Sequence, residues 1–522
     1  MLQAAQYKAM WCAIAVCLYC FCGCGQVAKP VARQPKQATA ARKQPAAKSS
    51  AKAQVAPKPA QPARSFTPPA AKGPETPASD KPGTPGDKPA KPRPAGSLSD
   101  LVQRAEAQEF ALPELDDGKI AVAGIRKLTG KHLVLYTDVP ETIQDVQQLP
   151  AVFDAAVPQW AKYFEVDPAK LANWKLVGCV MVSKERFEGA GLYTRDLPDF
   201  PNGFQKGSQF WLYDQPSDYY RRHLLLHEGT HAFMSHWLGG AGPPWYSEGM
   251  AEMLGTHQWD GTRLVMGYNP PDKTQVPYWG RVKIVRDEFA ANRGMTLFDI
   301  FRYDAQAHLK NEAYGWCWAS TAFLNAHPET HALFQGLRSN TADRSIEFSR
   351  KFHEALKPVW PQIAEDWQLY VINLEYGYDV ARAAVVRKTA QLLNGQATVQ
   401  VAADRFWQST GVQVEAGETY ELTANGRYSL AKVPKPWWCE PNGITIEYHN
   451  RMPLGILLAA VSDAGEAGIT PLATSVQVIG TAGKITPQKT GTLYLCLNDS
   501  PAKLADNEGS ATVVIKSLVE GR

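Results

Sequence analysis

Cysteine is thin along most of this chain. Nine cysteines occur in 522 residues, and Cys12, Cys17, Cys20, Cys22 and Cys24 crowd into the first 24. The remainder keeps Cys179, Cys317, Cys439 and Cys496, and no spacing among them suits a zinc knuckle. Aromatic and branched residues all but vanish between Gln26 and Gly96, where Ala, Pro, Lys and Gln dominate. Such a stretch cannot bury enough surface to offset its ordering entropy, which excludes a packed core there. A strong net charge is also missing, at +4 overall. That small excess hides an asymmetry: residues 26–97 hold 14 basic and three acidic residues, whereas the rest, Lys8 aside, has 40 basic against 48 acidic. No nucleic-acid-binding motif accompanies the basic stretch, so a nucleic-acid partner is not expected.

The first 24 residues read as an export segment. Lys8 is their single charge, and the apolar run Met10 to Gly23 is too short to span a bilayer comfortably. It ends Phe21-Cys22-Gly23-Cys24, which resembles a bacterial lipobox with Cys24 as the lipid-bearing residue; simple signal cleavage is the alternative. Either route predicts an exported protein, lipid-anchored in the bacterial cell envelope (periplasmic or surface) or secreted. Residues 25–97 are then expected to be a disordered, semi-extended tether. Among the four remaining cysteines, export permits a disulfide, and Cys439 with Cys496 is the expected pair of the three arrangements that four cysteines allow.

The chemistry is carried by His227-Glu228-Gly229-Thr230-His231, with Glu248 seventeen residues later in Trp245-Tyr246-Ser247-Glu248-Gly249-Met250-Ala251-Glu252. Residues four apart on a helix share a face, so His227 and His231 can offer imidazole nitrogens to one cation. Glu228 sits beside the first histidine, where its carboxylate can serve the attacking water rather than the metal. Glu248 supplies an acidic third ligand and leaves a fourth position open. The local pattern predicts a helix from Asp218 to Trp237, with Ser217 as its N-cap and Gly239-Gly240 as its stop. A second helix is expected with Ser247 as its cap. Glu252, one turn beyond Glu248, is placed to hydrogen-bond a ligand imidazole and fix its tautomer.

These two motifs resemble the gluzincin branch of zinc metallopeptidases, and are most similar to peptidase MA-like domains, which read H-E-x-x-H followed by W-x-x-E-G-x-A-E. Trp245, Glu248, Gly249, Ala251 and Glu252 match the second motif. The resemblance implies that His227, His231 and Glu248 hold zinc and that Glu228 is the general base for hydrolysis of a peptide or protein substrate. It also implies a downstream tyrosine that hydrogen-bonds the reacting carbonyl oxygen, for which Tyr314 is the candidate. In such families a strand beside the metal helix pairs with extended substrate, and Gln209 to Tyr213 is expected in that role.

Leu98 to Asn394 therefore reads as an α+β zincin-like catalytic domain, with strands near 132–137, 176–182 and 209–213. Mainly helical sequence is expected after the motif, including Tyr378 to Leu393. From Gln396 the pattern changes to short β-type runs separated by Gly, Pro and Asn, which predicts an all-β sandwich to residue 522. Trp407 to Val412, Gly417 to Tyr420, Leu497-Asn498-Asp499 and Asp506 to Ser510 resemble the galactophilic PA-IL-like bacterial lectins. That resemblance implies calcium, with Asp499, Asp506, Asn507 and the Tyr428 carbonyl as ligands. The family's sugar-contacting His and Gln fall near Glu440-Pro441-Asn442, where neither residue occurs. Two functions follow as expectations: an exported zinc peptidase with an accessory lectin-like domain, or an inactive zincin scaffold that binds glycan or cell envelope.

Overall fold

The computed structural model describes residues 110–304, 306, 310–463 and 468–518. The expected export segment with Cys24 and the expected tether at 25–97 lie outside the described residues. What is described is a mixed α/β region followed by a β-rich C-terminal region.

The first region is built on a sheet of β1 (Arg126–Thr129), β2 (Leu133–Thr137), β3 (Leu176–Met181), β4 (Gly203–Lys206) and β5 (Gln209–Tyr213) in the order β1-β2-β3-β5-β4. The central pairs β2/β3 and β3/β5 are parallel, and both edge strands are antiparallel to their neighbours. β3 is buried along its whole length, as the unbroken apolar run Leu176-Val177-Gly178-Cys179-Val180-Met181 requires of a parallel strand covered on both faces. Leu176 and Val180 face one apolar core; Val177, Cys179 and Met181 face another. The long helices α1 (Gln144–Phe164) and α2 (Asp218–Trp237) contribute to the first of these cores.

Ser217 caps α2 as its sequence suggests, its hydroxyl accepting from the Tyr220 amide at 3.3 Å. α2 is joined to α1 by the Trp160 indole, which donates to Thr230 inside the histidine motif at 3.0 Å. α3 (Pro244–Gly255) then lies against α2 and against α5 (Asn311–Ala326), with α4 (Arg281–Ala290) packed on α5. Gly249 makes the α3–α5 contact possible: a Cβ there would meet Thr321 Oγ1 at 2.0 Å and the Cys317 carbonyl oxygen at 2.7 Å. α6 (Ile346–Leu356) receives a hydrogen bond from the Trp245 indole to Ser349 at 2.8 Å. α7 (Trp360–Asn373) closes the helical part.

Beyond α7, the expected helix over 378–393 is reduced to one turn, Val380–Ala383. The chain runs extended instead, forming β8 (Gln391–Leu392) parallel to β10 (Gln408–Val414). One C-terminal sheet has the order β17-β16-β19-β10-β8, with β17 (Gln477–Val478), β16 (Leu457–Ser462) and β19 (Gly491–Leu497). The other has the order β18-β11-β20-β9, with β18 (Ala482–Ile485), β11 (Tyr420–Asn425), β20 (Ser510–Ser517) and β9 (Gln396–Ala402). The two sheets share an apolar core containing Val401, Leu422, Leu457, Leu495 and Val513.

The first of these sheets is buried on both sides. Along β19, Leu493, Leu495 and Leu497 face the sandwich interior, whereas Tyr494 and Cys496 join the core of the helical region. β16 alternates likewise, Leu457 and Ala459 inward, Leu458 and Ala460 toward the helices. Polar contacts reinforce the seam. Glu365 on α7 accepts from Ser462 at 3.0 Å and Thr470 at 2.6 Å, and Arg387 bridges Glu365 and Asp366 at 2.7 Å each. The α/β region and the sandwich are thus welded by a continuous apolar core and a buried ionic cluster.

Three expectations are corrected. Cys439 and Cys496 are free, buried thiols, not a disulfide. The physical reason is the alternation of β19: Cys439 belongs to the sandwich core, whereas Cys496 points through the sheet toward the helices. Ser247 is not a cap, because α3 begins three residues earlier at Pro244, where proline suits the first helical position. Finally, Gln209 to Tyr213 is flanked on both sides by β3 and β4, so the free edge beside the metal helix belongs to β4. Among the described residues no helix is long and apolar enough to cross a membrane.

Candidate metal centre

α2 and α3 bring His227, His231 and Glu248 together. His227 Nε2 lies 3.2 Å from His231 Nε2 and 3.3 Å from Glu248 Oε2, and His231 Nε2 lies 3.6 Å from the same carboxylate oxygen. Ligands of a tetrahedral zinc with bonds of about 2.0–2.1 Å stand roughly 3.3 Å from one another. Three converging donor atoms at that spacing fit a cation of zinc's size. His231 is fixed on its other side, where Nδ1 lies 3.2 Å from the Ser247 hydroxyl. Burial acts to raise the Glu248 carboxyl, but the adjacent His231 and His227 hold it well below the ordinary carboxylate range.

Glu228 is buried and adjoins this triad without entering it. Burial pushes its carboxyl above the usual range, against the pull of His227 and His231. From the sheet it is approached by Gly203, the first residue of the edge strand β4. A Cβ at Gly203 would stand 2.5 Å from Glu228 Oε1 and 2.8 Å from Leu212 Cδ2, so a side chain here would displace one or both of those groups.

Tyr314, on the first turn of α5, brings its ring centre to 6.2 Å from that of His227. Burial, followed by the surrounding carboxylates Glu248, Glu252 and Glu228, raises its hydroxyl, which keeps the proton on the phenol. These groups line an open cleft of about 1320 Å³ together with β4, Phe301, Tyr303 and Arg344.

Glu252 stands behind the triad. Its Oε1 is 3.4 Å from His227 Nδ1, and its Oε2 is 3.2 Å from His223 Nε2; both approaches are close without the alignment of a full hydrogen bond. Arg281 donates to both oxygens of Glu252, each at 2.8 Å. Burial works to raise the Glu252 carboxyl, yet Arg281 and His223 hold it well below the ordinary range. Sequence reasoning missed Arg281 and Gly203, which no motif spacing marks. It also passed over Ser247 as a partner of His231, although Ser247 lies inside the second motif.

The four sandwich candidates do not converge in the same way. Asp499 and Asn507 meet, Asn507 Nδ2 donating to Asp499 Oδ2 at 2.8 Å and to the Ala403 carbonyl oxygen at 3.0 Å. The other Asp499 oxygen accepts from the Ser500 amide at 2.7 Å. Asp506 instead accepts from the Lys432 amide at 3.2 Å. Asn507 Oδ1 is buried without a partner. Burial pushes the Asp499 carboxyl up to about 6. As folded, the loop holds Asp499 and Asn507 as a hydrogen-bonded pair, with Asn507 Oδ1 left buried beside them.

No family model matches the sequence, and no curated protein matches it. Among solved structures the chain is similar to one described as "EclA N-terminal domain; PllA-like lectin", at 22% identity and a TM-score of 0.18, over 23% of this chain and 94% of that one. At that similarity the likeness assigns no ligand to this chain. What stands on the geometry alone is a His/Glu cluster able to hold a metal ion.

Proposed function

We propose that this protein is an exported zinc-dependent peptidase of gluzincin type, with His227, His231 and Glu248 as ligands and Glu228 as general base. The observation that carries this reading is the tetrahedral spacing of the three donor atoms beside a buried, fourth carboxylate that stays outside the set. Zinc bound there would supply a Lewis acid and an acidified water. Glu228, with its raised proton affinity, is suited to take a proton from the attacking water and pass it to the leaving amine. Tyr314, kept protonated, can donate to the carbonyl oxygen as charge builds on it. The free edge of β4 offers backbone groups to an extended peptide lying in the cleft.

The test is elemental analysis of the purified chain together with a casein or mixed-peptide cleavage assay. One zinc per chain and cleavage abolished by a chelator and restored by zinc are expected. A chain that takes up no zinc after reconstitution defeats the peptidase reading and leaves the glycan- or envelope-binding alternative, read by a glycan pull-down with the same protein. A chain that holds zinc but cleaves nothing points to an inactive scaffold.

A further inference from the structure

Two donor sets share His227. One joins it to His231 and Glu248, the other to His223 and Glu252. Distance alone would let a cation choose either, and Arg281 distinguishes them. Its side chain starts α4 and is nearly buried, 10% exposed, against a Glu252 that is 1% exposed. The guanidinium spans both Glu252 oxygens at 2.8 Å. Its Nη1 donates to the Trp279 carbonyl oxygen at 2.9 Å, and its Cζ lies 5.7 Å from the centre of the Tyr314 ring. The guanidinium already neutralises the Glu252 carboxylate, and in this low-dielectric setting its fixed positive charge repels a second cation from those oxygens. The same fork fixes the plane of Glu252, whose Oε1 stands against His227 Nδ1 at 3.4 Å while Nε2 of that ring faces the other donor set.

We propose that Arg281 is a positioning residue: by clamping both oxygens of Glu252 it orients His227 toward the cation shared with His231 and Glu248, and bars a cation from the His223–His227–Glu252 set. This rests on the metal reading above. A lysine at 281 would keep the charge but present one ammonium where the carboxylate meets a planar fork, so it isolates the geometric part of the effect. Outer contacts of this kind change metal affinity by about 10–100-fold.

The experiment is cobalt(II) titration of the full chain, the Arg281→Lys variant and the Arg281→Met variant, followed by visible absorption and by thermal melting. The unaltered chain should bind one cobalt with intense low-symmetry d–d bands. Arg281→Lys should bind about tenfold more weakly or worse, with shifted bands and a cooperative melt. Arg281→Met, if it melts cooperatively, should also weaken the site or take up a second cobalt through the freed Glu252. Should Arg281→Met fail to fold, Arg281→Lys decides alone. Wild-type affinity and an unshifted spectrum in Arg281→Lys would overturn the role of Arg281 while leaving the metal centre intact. No cobalt in the unaltered chain would overturn the metal reading and this proposal with it.

Discussion

The α2–α3 centre and the Asp499–Asn507 loop both gather acidic and polar side chains in a buried place, but they differ in what those side chains are already doing. In the first, three donor atoms face one another at 3.2–3.6 Å, and the hydrogen bonds and ion pairs come from behind, through Ser247, Glu252 and Arg281. In the second, Asp499 spends both oxygens on neighbours within the loop, and Asn507 retains one unpartnered oxygen. A donor braced from its far side keeps its lone pairs aimed outward, whereas a hydrogen bond from a neighbour in the same loop occupies one of the two lone pairs on each oxygen. The first arrangement is a cluster able to hold a metal ion; in the second, the acidic and amide side chains bond each other.

The largest effect that sharpens this contrast separates metal from rate. His231→Ala should lose both zinc and cleavage, whereas Glu228→Gln should keep zinc by elemental analysis and lose cleavage by roughly 10²–10⁴-fold. If Glu228→Gln also released the metal, the division between ligand and base would be broken.

Next in size is Gly203→Ala. The added methyl collides with Glu228 and with Leu212 in the sheet, so kcat should fall about tenfold, or about 1.4 kcal/mol in barrier, with zinc content unchanged. An unaltered rate would show that β4 can retreat without disturbing the base.

On the other side of the comparison, Asp499 makes a pH-dependent contribution to stability. Its folded pKa, about 6, lies above the ordinary 3.8, so the folded form binds the proton more tightly. Stability from this group is complete below about 3.8 and is lost as pH rises through 6. Asp499→Asn should therefore shrink the change in unfolding free energy between pH 4 and pH 7 by roughly 2–3 kcal/mol. An identical slope in variant and parent, by denaturant unfolding at each pH, would remove the burial argument.

Smallest of all is the response to calcium. Because the loop is internally bonded, millimolar calcium should move the melting temperature of the full chain by no more than about one degree, since a ligand stabilises only as far as it binds the folded form. A rise of several degrees would mean that Asp499 and Asn507 release each other for the cation, and would turn the pair into a second site.

Much of this was legible in the sequence for identifiable reasons. The metal helix was marked at both ends, by Ser217 and Gly239, and its histidines by a four-residue spacing that geometry enforces. The strand at 176–181 announced itself as a continuous apolar run, and the short β-type runs expected beyond Gln396 appear as strands, among them β9, β11, β16, β19 and β20. Arg281 was illegible because the hairpin and loop separating it from Glu252 leave no periodic relation between them. Gly203 was illegible because a glycine opening a strand signals nothing until Glu228 is set beside it. The cysteine pair failed because membership of one domain says nothing about which face of β19 a side chain takes; the alternation that sends Cys496 away from Cys439 becomes decisive only once both faces of that sheet are known to be covered.

The seam between the helices and the sandwich has a consequence for how this chain meets a protease. The usual weak point of a two-part protein is an exposed, extendable connector between its parts. Here part of the connector is laid down as β8 against β10, with Val386 bridged to Gln408 and Arg387 anchored in the ionic cluster, so those stretches are already engaged where a protease would need the backbone free. Digestion should favour sites away from these paired stretches, and a clipped product carrying one lobe without the other should be rare.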